Sequence, residues 1–320
     1  MRKIATKVLK KLKKAKANKI IELGEYRKQK KEVESLFDQI KTADDAIESG
    51  KDPLHAIYTH AQNLLSVLAE ILQDVPEPAL VRFWNTIEAA QEEYQTGGPP
   101  MSALTNSYFN CWLLLDVAVG LQKETLTTII IDLAKELGIH QNMVDVFQHM
   151  QNSRMGIYEY LGNENGKILL REMTKDEVIT CICPAGHQGQ YKGELWFARI
   201  LPPVFKRFDY SLVFTTPYIL LNPDYEQWIG YLERTISKKK TKTTAASLEN
   251  LMKYGLSDGY WNEYIHQAYV NFKPELIYLE GLPDVGRSRP HFSDSPKYKA
   301  ILPETRQLLS TTVNFKTDTG

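Results

Sequence analysis

The sequence predicts an α+β fold that is mainly helical, with a small antiparallel β-barrel-like module inserted between helical regions. Apolar residues recur at helical spacing over most of residues 51–155, which predicts a helical bundle. In residues 156–222 the pattern changes to short β-rich runs separated by Gly- and Pro-containing turns. Helical spacing returns in 223–320, a helical C-terminal region that ends in an irregular tail. A basic helical arm, 1–50, precedes all three regions.

The arm has the strongest charge bias in the chain. Residues 1–31 contain 13 Lys or Arg and two acidic residues, Glu22 and Glu25, whereas the whole chain has a formal net charge of +0. Residues 32–320 are therefore acidic overall. A basic segment joined to an acidic remainder indicates an electrostatic partner.

Helical spacing within the arm places a thin apolar stripe beside the lysines. Ile4, Val8, Leu12 and Ala15 fall on one face of a helix predicted over 2–21. Because this stripe is narrow, we expect the arm to add little to any core. A further helical pattern continues toward Glu48.

Three interpretations of the arm remain open. It binds nucleic acid or an acidic protein, it lies on an anionic membrane, or it is solvated or docked on the chain's own acidic residues. The membrane interpretation is weakened because the apolar stripe lacks Trp and Phe. Under the partner hypothesis, the contacts come from the basic side chains of the arm and of a second basic loop, namely Lys7, Lys10, Lys11, Lys13, Lys14, Lys16, Arg27, Lys28, Lys30, Lys31, Lys238, Lys239 and Lys240.

The bundle begins with a clear helix start. Asp52 is a capping residue, and Pro53 suits the first helical position, where its missing N–H is not needed. Apolar residues then follow helical spacing from Leu54 to Leu72. Pro76 and Pro78 separate this helix from the next one. Further helices are predicted over about 102–121, 124–137 and 141–152.

Residues 130–149 fit a helix-turn-helix template. Ala134 lies where two helices would touch, and Gly138 lies in the turn, where a positive φ is needed. Gln141 and Asn142 would face bases, since such amides read adenine. However, no Lys or Arg follows Lys135 until Arg154. A helix pair inside a bundle explains the same residues.

The β module contains the residues that most suggest a metal site. Strands are predicted over about 157–161, 167–173, 177–183, 194–201 and 211–221. Cys181 and Cys183 are two apart on one strand, so both face the same side. A structural zinc normally takes a second Cys pair, which this sequence lacks. We therefore expect buried core cysteines, with His187 nearby, and no metal.

The C-terminal region is predicted to contain helices over about 224–237, 246–254 and 258–272. The remainder, 280–320, is rich in Pro, Ser, Thr and Gly, which predicts a draped or irregular tail.

A stretch from Phe147 to about Leu221 resembles uncharacterised bacterial proteins that often carry SEC-C zinc motifs. The matching residues are Ser153, Ile157 to Tyr160, Lys167 to Met173 and Gly193 to Pro202. The resemblance implies a small β module that follows helices, and it implies no activity. The SEC-C cysteines are absent here, so the zinc does not carry over.

These patterns favour a non-enzymatic accessory or regulatory protein in the cytoplasm. Three cysteines and no secretory leader are typical of a reducing compartment, and no apolar run is long enough to span a membrane. No catalytic residue and no cofactor motif is recognised. The leading hypothesis is binding of a protein or nucleic acid through the arm. The alternative is a DNA-binding regulator that reads through 130–149, and the third is an enzyme of unrecognised class.

Overall fold

The computed structural model describes residues 1–17, 50, 52–95, 97, 99, 102–204, 206, 208–238 and 244–285. These residues form two compact units, each built from separate parts of the chain. The first unit takes its described residues from 1–91, 109–154 and 201–212. The second takes them from 92–108, 155–200 and 213–320.

Helices build the first unit. The described helices before residue 155 are α1 (Lys3–Ala17), α2 (Pro53–Gln73), α3 (Pro78–Tyr94), α4 (Asn106–Leu115), α5 (Leu126–Leu137) and α6 (Gln141–Asn152). The end of α3 and the start of α4 belong to the second unit. Helix α5 contacts α1, α2 and α6, and α2 also contacts α6. Helix α5 is thus the element around which the other three assemble.

Helix α2 begins as the sequence predicts. The Asp52 side chain accepts the backbone N–H of His55 at 2.8 Å, and Pro53 occupies the first helical position. The Tyr210 hydroxyl donates to the other carboxylate oxygen of Asp52 at 2.6 Å. The buried face of α2 is formed by Leu54, Tyr58, Ala61, Leu64, Leu65, Leu68, Ala69 and Leu72.

The strands of the described residues form one eight-stranded sheet, most of which lies in the second unit. They are β1 (Met155–Glu164), β2 (Lys167–Glu172), β3 (Val178–Ile182), β4 (Leu195–Leu201), β5 (Ser211–Val213), β6 (Tyr218–Leu220), β7 (Tyr269–Lys273) and β8 (Leu276–Leu279). Their order is β1-β2-β3-β5-β4-β6-β8-β7, and a further β1–β4 pairing closes the first five into a barrel. The fold is therefore mixed α+β with a closed five-stranded barrel.

Strand β1 closes the barrel because it pairs on both edges. Its residues from Met155 to Glu159 lie opposite β4, and residues from Tyr158 onward lie opposite β2. The β1–β2 register shifts between Tyr160 and Gly162, and Gly162 has a φ of 146°. Such a bulge bends a strand and increases its twist, which a small barrel requires.

The sheet departs from the predicted antiparallel module at its second end. Strand β6 pairs antiparallel with β4 but parallel with β8. The predicted strand 211–221 is two short strands, and Pro217 lies between them. The predicted helix 258–272 ends at Ala268 and continues as β7. Tyr269 and Phe272 continue the helical spacing of the apolar residues, so periodicity alone could not locate this end.

Three helices complete the described part of the second unit, namely α7 (Tyr225–Lys238), α8 (Ala245–Tyr254) and α9 (Tyr260–Ala268). They bury an aromatic cluster against the sheet. The ring of Trp261 on α9 lies 5.1 Å from that of Phe197 on β4, and the ring of Trp228 on α7 lies 5.8 Å from that of Tyr264. Aromatic side chains in this region are therefore core.

Candidate interaction surface

The first turn of α1 is held by two carboxylates of the same unit. The backbone N–H groups of Ile4 and Ala5 donate to Glu124 at 3.0 to 3.3 Å. The N–H of Arg2 donates to Asp132 at 2.6 Å, and its guanidinium lies 3.1 Å from the other carboxylate oxygen. The first N–H groups of a helix have no partner within the helix and carry partial positive charge, so carboxylates stabilise this end.

The apolar stripe of α1 is part of the core of the first unit. Ile4 is 7% exposed, and Ala5 and Val8 are fully buried. Leu9 and Leu12 are half-buried. The expectation that the arm adds little to any core is therefore wrong for its first helix, because Ala5 and Val8 are completely buried and Ile4 is nearly so.

Several basic side chains of α1 are neutralised by the chain itself. Lys7 and Lys11 lie 3.8 and 3.1 Å from the carboxylate oxygens of Glu77, which is 4% exposed. Lys11 also donates to the Pro76 carbonyl. Lys13 lies 3.3 Å from Glu136 at the end of α5. The interpretation in which the arm docks on the chain's own acidic residues accounts for these lysines and for Arg2.

Three lysines of α1 are left over. Lys3, Lys10 and Lys14 are exposed, and none has an ion-pair partner among the residues that the structure describes. Their spacing of seven and four residues puts them on one face of the helix. At a rise of about 1.5 Å per residue, this row of charges is about 16 Å long. We call these three residues the lysine row.

The remaining residues of the predicted basic set are placed as follows. Lys238 is exposed at the end of α7, in the second unit. The side chain of Lys16, and the whole of Arg27, Lys28, Lys30, Lys31, Lys239 and Lys240, lie outside the described residues. The helix predicted toward Glu48 and the tail beyond residue 285 also lie outside them.

The helix pair at 130–149 is present, as α5 and α6. Gly138 ends α5 with a φ of 74°. His140 begins α6, and its Nδ1 accepts the N–H of Asn142 at 3.2 Å. Ala134 is 6% exposed, as expected at a helix contact. The two helices and their Gly turn are confirmed, and base reading stays a prediction.

The surface of α6 carries amide side chains. Gln141 and Asn142 are exposed, and the Gln141 amide donates to Asp145 at 2.8 Å. The sequence has no Lys or Arg between Lys135 and Arg154, so none lies on this helix. The fold supplies basic residues from elsewhere, because α1 packs on α5 and Lys13 reaches Glu136 in the last turn before α6. Helix α1 is distant from α6 in sequence, so the residues around α6 could not indicate that it lies nearby.

The residues that suggested a metal are buried in the barrel. Cys181 is fully buried and Cys183 is 7% exposed, both within the barrel core. Burial raises the pKa of both thiols, that of Cys183 to about 11. His187 Nε2 lies 2.7 Å from Glu194 Oε1, which also accepts the Trp196 indole N–H at 2.6 Å. His187 is thus paired with a carboxylate.

Across the described ranges, no three His, Cys, Asp or Glu side chains are grouped as a metal site would require. None of the described helices combines the length and the hydropathy needed to cross a membrane. Comparison with protein-family models, with curated proteins and with solved structures finds no match to this chain.

Proposed function

We propose that this chain is a non-enzymatic interaction protein that binds an acidic partner, nucleic acid or protein, through α1. The observation that carries the proposal is the lysine row. Arg2, Lys7, Lys11 and Lys13 have carboxylate partners in the chain, whereas the lysine row is exposed and has none among the described residues. Within the part of the arm that the structure describes, the row is therefore what is available to a partner.

Docking of α1 makes this row a preorganised surface. The helix is fixed by buried side chains and by Glu124 and Asp132, so its backbone loses little freedom when a partner binds. Each lysine that neutralises a phosphate releases a counterion and gives affinity that falls with salt. For duplex DNA, three such contacts correspond to a slope of about −2.7 in log K against log salt.

The test is binding of the nuclease-treated full chain to a fluorescent 20-base-pair duplex and to polyglutamate, followed by anisotropy over a range of salt. One variant carries Lys3→Gln, Lys10→Gln and Lys14→Gln. Its matched control removes three exposed lysines elsewhere, at Lys175, Lys192 and Lys206, also to Gln.

We expect the lysine-row variant to lose at least about tenfold in affinity for the probe that binds, and to show a shallower salt dependence than the wild type. The control variant should bind as the wild type does. Equal losses in both variants would show a response to net charge alone, and unchanged binding in the lysine-row variant would show that this row is only solvated.

A second candidate function is sequence-specific DNA binding through α6. It is favoured by the packing of basic α1 on α5 and by the exposed amides of Gln141 and Asn142. Selection from a randomised duplex library tests it. Gln141→Ala and Asn142→Ala should relax the selected sequence at fixed salt if these amides read bases. An unchanged selection would leave the helix pair as bundle structure, which is the outcome we expect.

We also propose a cytoplasmic location. All three cysteines are buried and none forms a disulfide, which is typical of proteins kept in a reducing compartment. The resemblance to bacterial proteins in residues 147–221 fits an accessory role of this kind. Fractionation of cells that express the tagged chain tests the location.

A further inference from the structure

The turn that precedes α5 presents a large apolar side chain to solvent. Residues 120–123 form this turn, and Val119 and Glu124 close it through two backbone hydrogen bonds of 2.9 and 3.0 Å. Lys123, at the end of the turn, has a φ of 47°, a left-handed conformation that is uncommon for residues other than Gly. Leu121 is fully exposed. The turn is thus a fixed structure that holds an apolar side chain away from the core.

This turn is joined to the start of α1 by several contacts within the first unit. The backbone N–H of Lys3 donates to Gln122 Oε1 at 3.2 Å. Gly120 lies beside the Ile4 side chain, since a Cβ built on Gly120 would be 3.7 Å from Ile4 Cδ1. Glu124, directly after the turn, accepts the backbone N–H of Ile4. The turn and the first residues of α1 are therefore neighbours with a fixed relative position.

This end of α1 carries the two most exposed large hydrophobic side chains of the described residues, which are Leu121 and Met1. Single exposed apolar residues are common on protein surfaces and need no explanation. Here, however, two of them occur beside Lys3, which is exposed and is the first residue of the lysine row. The carboxylates of Glu124 and Asp132 accept N–H groups of the helix start. This end of the helix therefore presents apolar side chains next to a cation.

An anionic lipid surface accepts both kinds of group. Its hydrocarbon takes up a protruding apolar side chain without a pocket of matching shape, and its headgroups attract lysines. A nucleic-acid backbone offers the negative charge but no hydrocarbon. A protein interface normally has a contiguous apolar centre surrounded by polar groups, which one protruding turn does not form. The combination at this end of α1 therefore favours a lipid surface over the other two partners.

We propose that the turn at 120–123 and the start of α1 dock this chain on an anionic lipid surface. Leu121 and Met1 enter the boundary between headgroups and acyl chains, and Lys3 contacts the headgroups. Lys10 follows about 10 Å further along the helix, a distance near the Debye length at physiological salt, so it adds a weaker attraction. This contact goes beyond the proposed function: both use Lys3, but only the lipid contact needs Leu121.

The test is flotation of the nuclease-treated full chain with phosphatidylcholine vesicles that contain about 30% phosphatidylserine, and with vesicles of phosphatidylcholine alone. We expect the chain to bind the anionic vesicles far more tightly than the neutral ones, and the bound fraction to fall as salt rises. Leu121→Gln should weaken binding to the anionic vesicles at least about tenfold, because the turn then buries less apolar surface. Leu256→Gln is the matched control, since Leu256 is an exposed leucine of the second unit, and it should bind as the wild type does.

The same variants keep the lipid contact apart from the proposed function. Leu121→Gln should bind the duplex or polyglutamate as the wild type does, and its melting temperature should stay close to that of the wild type. The lipid contact is overturned, without effect on the proposed function, if the wild type does not float with anionic vesicles or if Leu121→Gln floats like Leu256→Gln. It is also overturned if Leu121→Gln loses affinity for the duplex or polyglutamate, because the turn then belongs to that interface. Vesicle binding that depends on Leu121, in a chain that binds neither polyanion, would support the lipid contact and overturn the proposed function.

Discussion

Ile4 donates its backbone N–H to both carboxylate oxygens of Glu124, at 3.0 and 3.1 Å, and the Glu124 side chain is 2% exposed. The next residue, Thr125, accepts the backbone N–H of Thr128 at the start of α5 and donates its hydroxyl to Gln151 of α6 at 2.7 Å. Two adjacent residues therefore connect α1, α5 and α6. The basic helix α1, although distant in sequence, is therefore part of the same unit as the helix pair α5 and α6.

Replacing Glu124 should release α1 from this unit. Glu124→Gln removes a charged acceptor of helix N–H groups, and we expect the free energy of unfolding to fall by about 1–3 kcal/mol. Urea denaturation measures it. Glu136→Gln is the control, since Glu136 forms a more exposed pair with Lys13 and should change stability by less than about 1 kcal/mol. Equal effects would show that the buried acceptor has no special role.

Burial of the apolar stripe predicts that α1 contributes to stability. Val8→Ala leaves a cavity at a fully buried position, so the free energy of unfolding should fall by about 1–3 kcal/mol. Lys10→Ala, two residues away on the exposed face, should stay within about 0.5 kcal/mol of the wild type. If Val8→Ala were as mild as Lys10→Ala in urea denaturation, the helix would not be docked in solution.

The sequence predicted local features well because their causes are local. Asp52 and Pro53 start α2, and Gly138 ends α5, as capping chemistry requires. The docking of α1 on Glu124 was not predictable. Ile4 and Glu124 are 120 positions apart, and nothing in the local sequence of either residue indicates that they pair. The parallel pairing of β6 with β8 is likewise a property of topology.

The same distinction applies to the candidate sites. The charge bias of the arm was visible in the sequence, yet its division into paired and unpaired lysines depends on where the carboxylates lie in the fold.

The contact between α5 and α6 should not tolerate a larger side chain. Ala134 is 6% exposed, so Ala134→Leu forces three extra carbon atoms into a packed site and should cost about 1–3 kcal/mol. Lys135→Leu adds an apolar side chain at the exposed neighbouring position and is the matched control. Thermal and urea denaturation of the two variants should separate them clearly. A neutral Ala134→Leu would mean that the helices are loosely packed.

The carboxyl of Glu280 predicts a pH dependence of stability in the second unit. Burial raises its pKa, and the Asn222 amide, which donates to Oε1 at 3.0 Å, offsets part of this rise. Because the pKa is higher in the folded state, the stability contributed by the protonated group is present below the unfolded-state pKa and is lost as pH rises through the folded-state pKa.

Glu280→Gln should therefore have a higher free energy of unfolding than the wild type at pH 7, measured by urea denaturation. The gain should be less than about 1 kcal/mol because the group is partly exposed. The difference should shrink toward pH 4. Glu233→Gln, at an exposed position of α7, is the control for losing one negative charge. A gain that is equal at both pH values would contradict the buried carboxyl as its source.

The barrel cysteines give the last prediction, which separates core packing from metal binding. Cys181 is fully buried, and burial raises the pKa of its thiol, so it should react slowly with alkylating reagents in the native state. Cys181→Ala should lower the free energy of unfolding by about 1–3 kcal/mol as a cavity substitution. Thr180→Ala, on the half-exposed opposite face of β3, should cost less than about 1 kcal/mol.

Elemental analysis of the purified chain should find no stoichiometric zinc. One zinc per chain, lost on changing Cys181 or Cys183 to Ser, would make both residues ligands and would require His187 to leave Glu194.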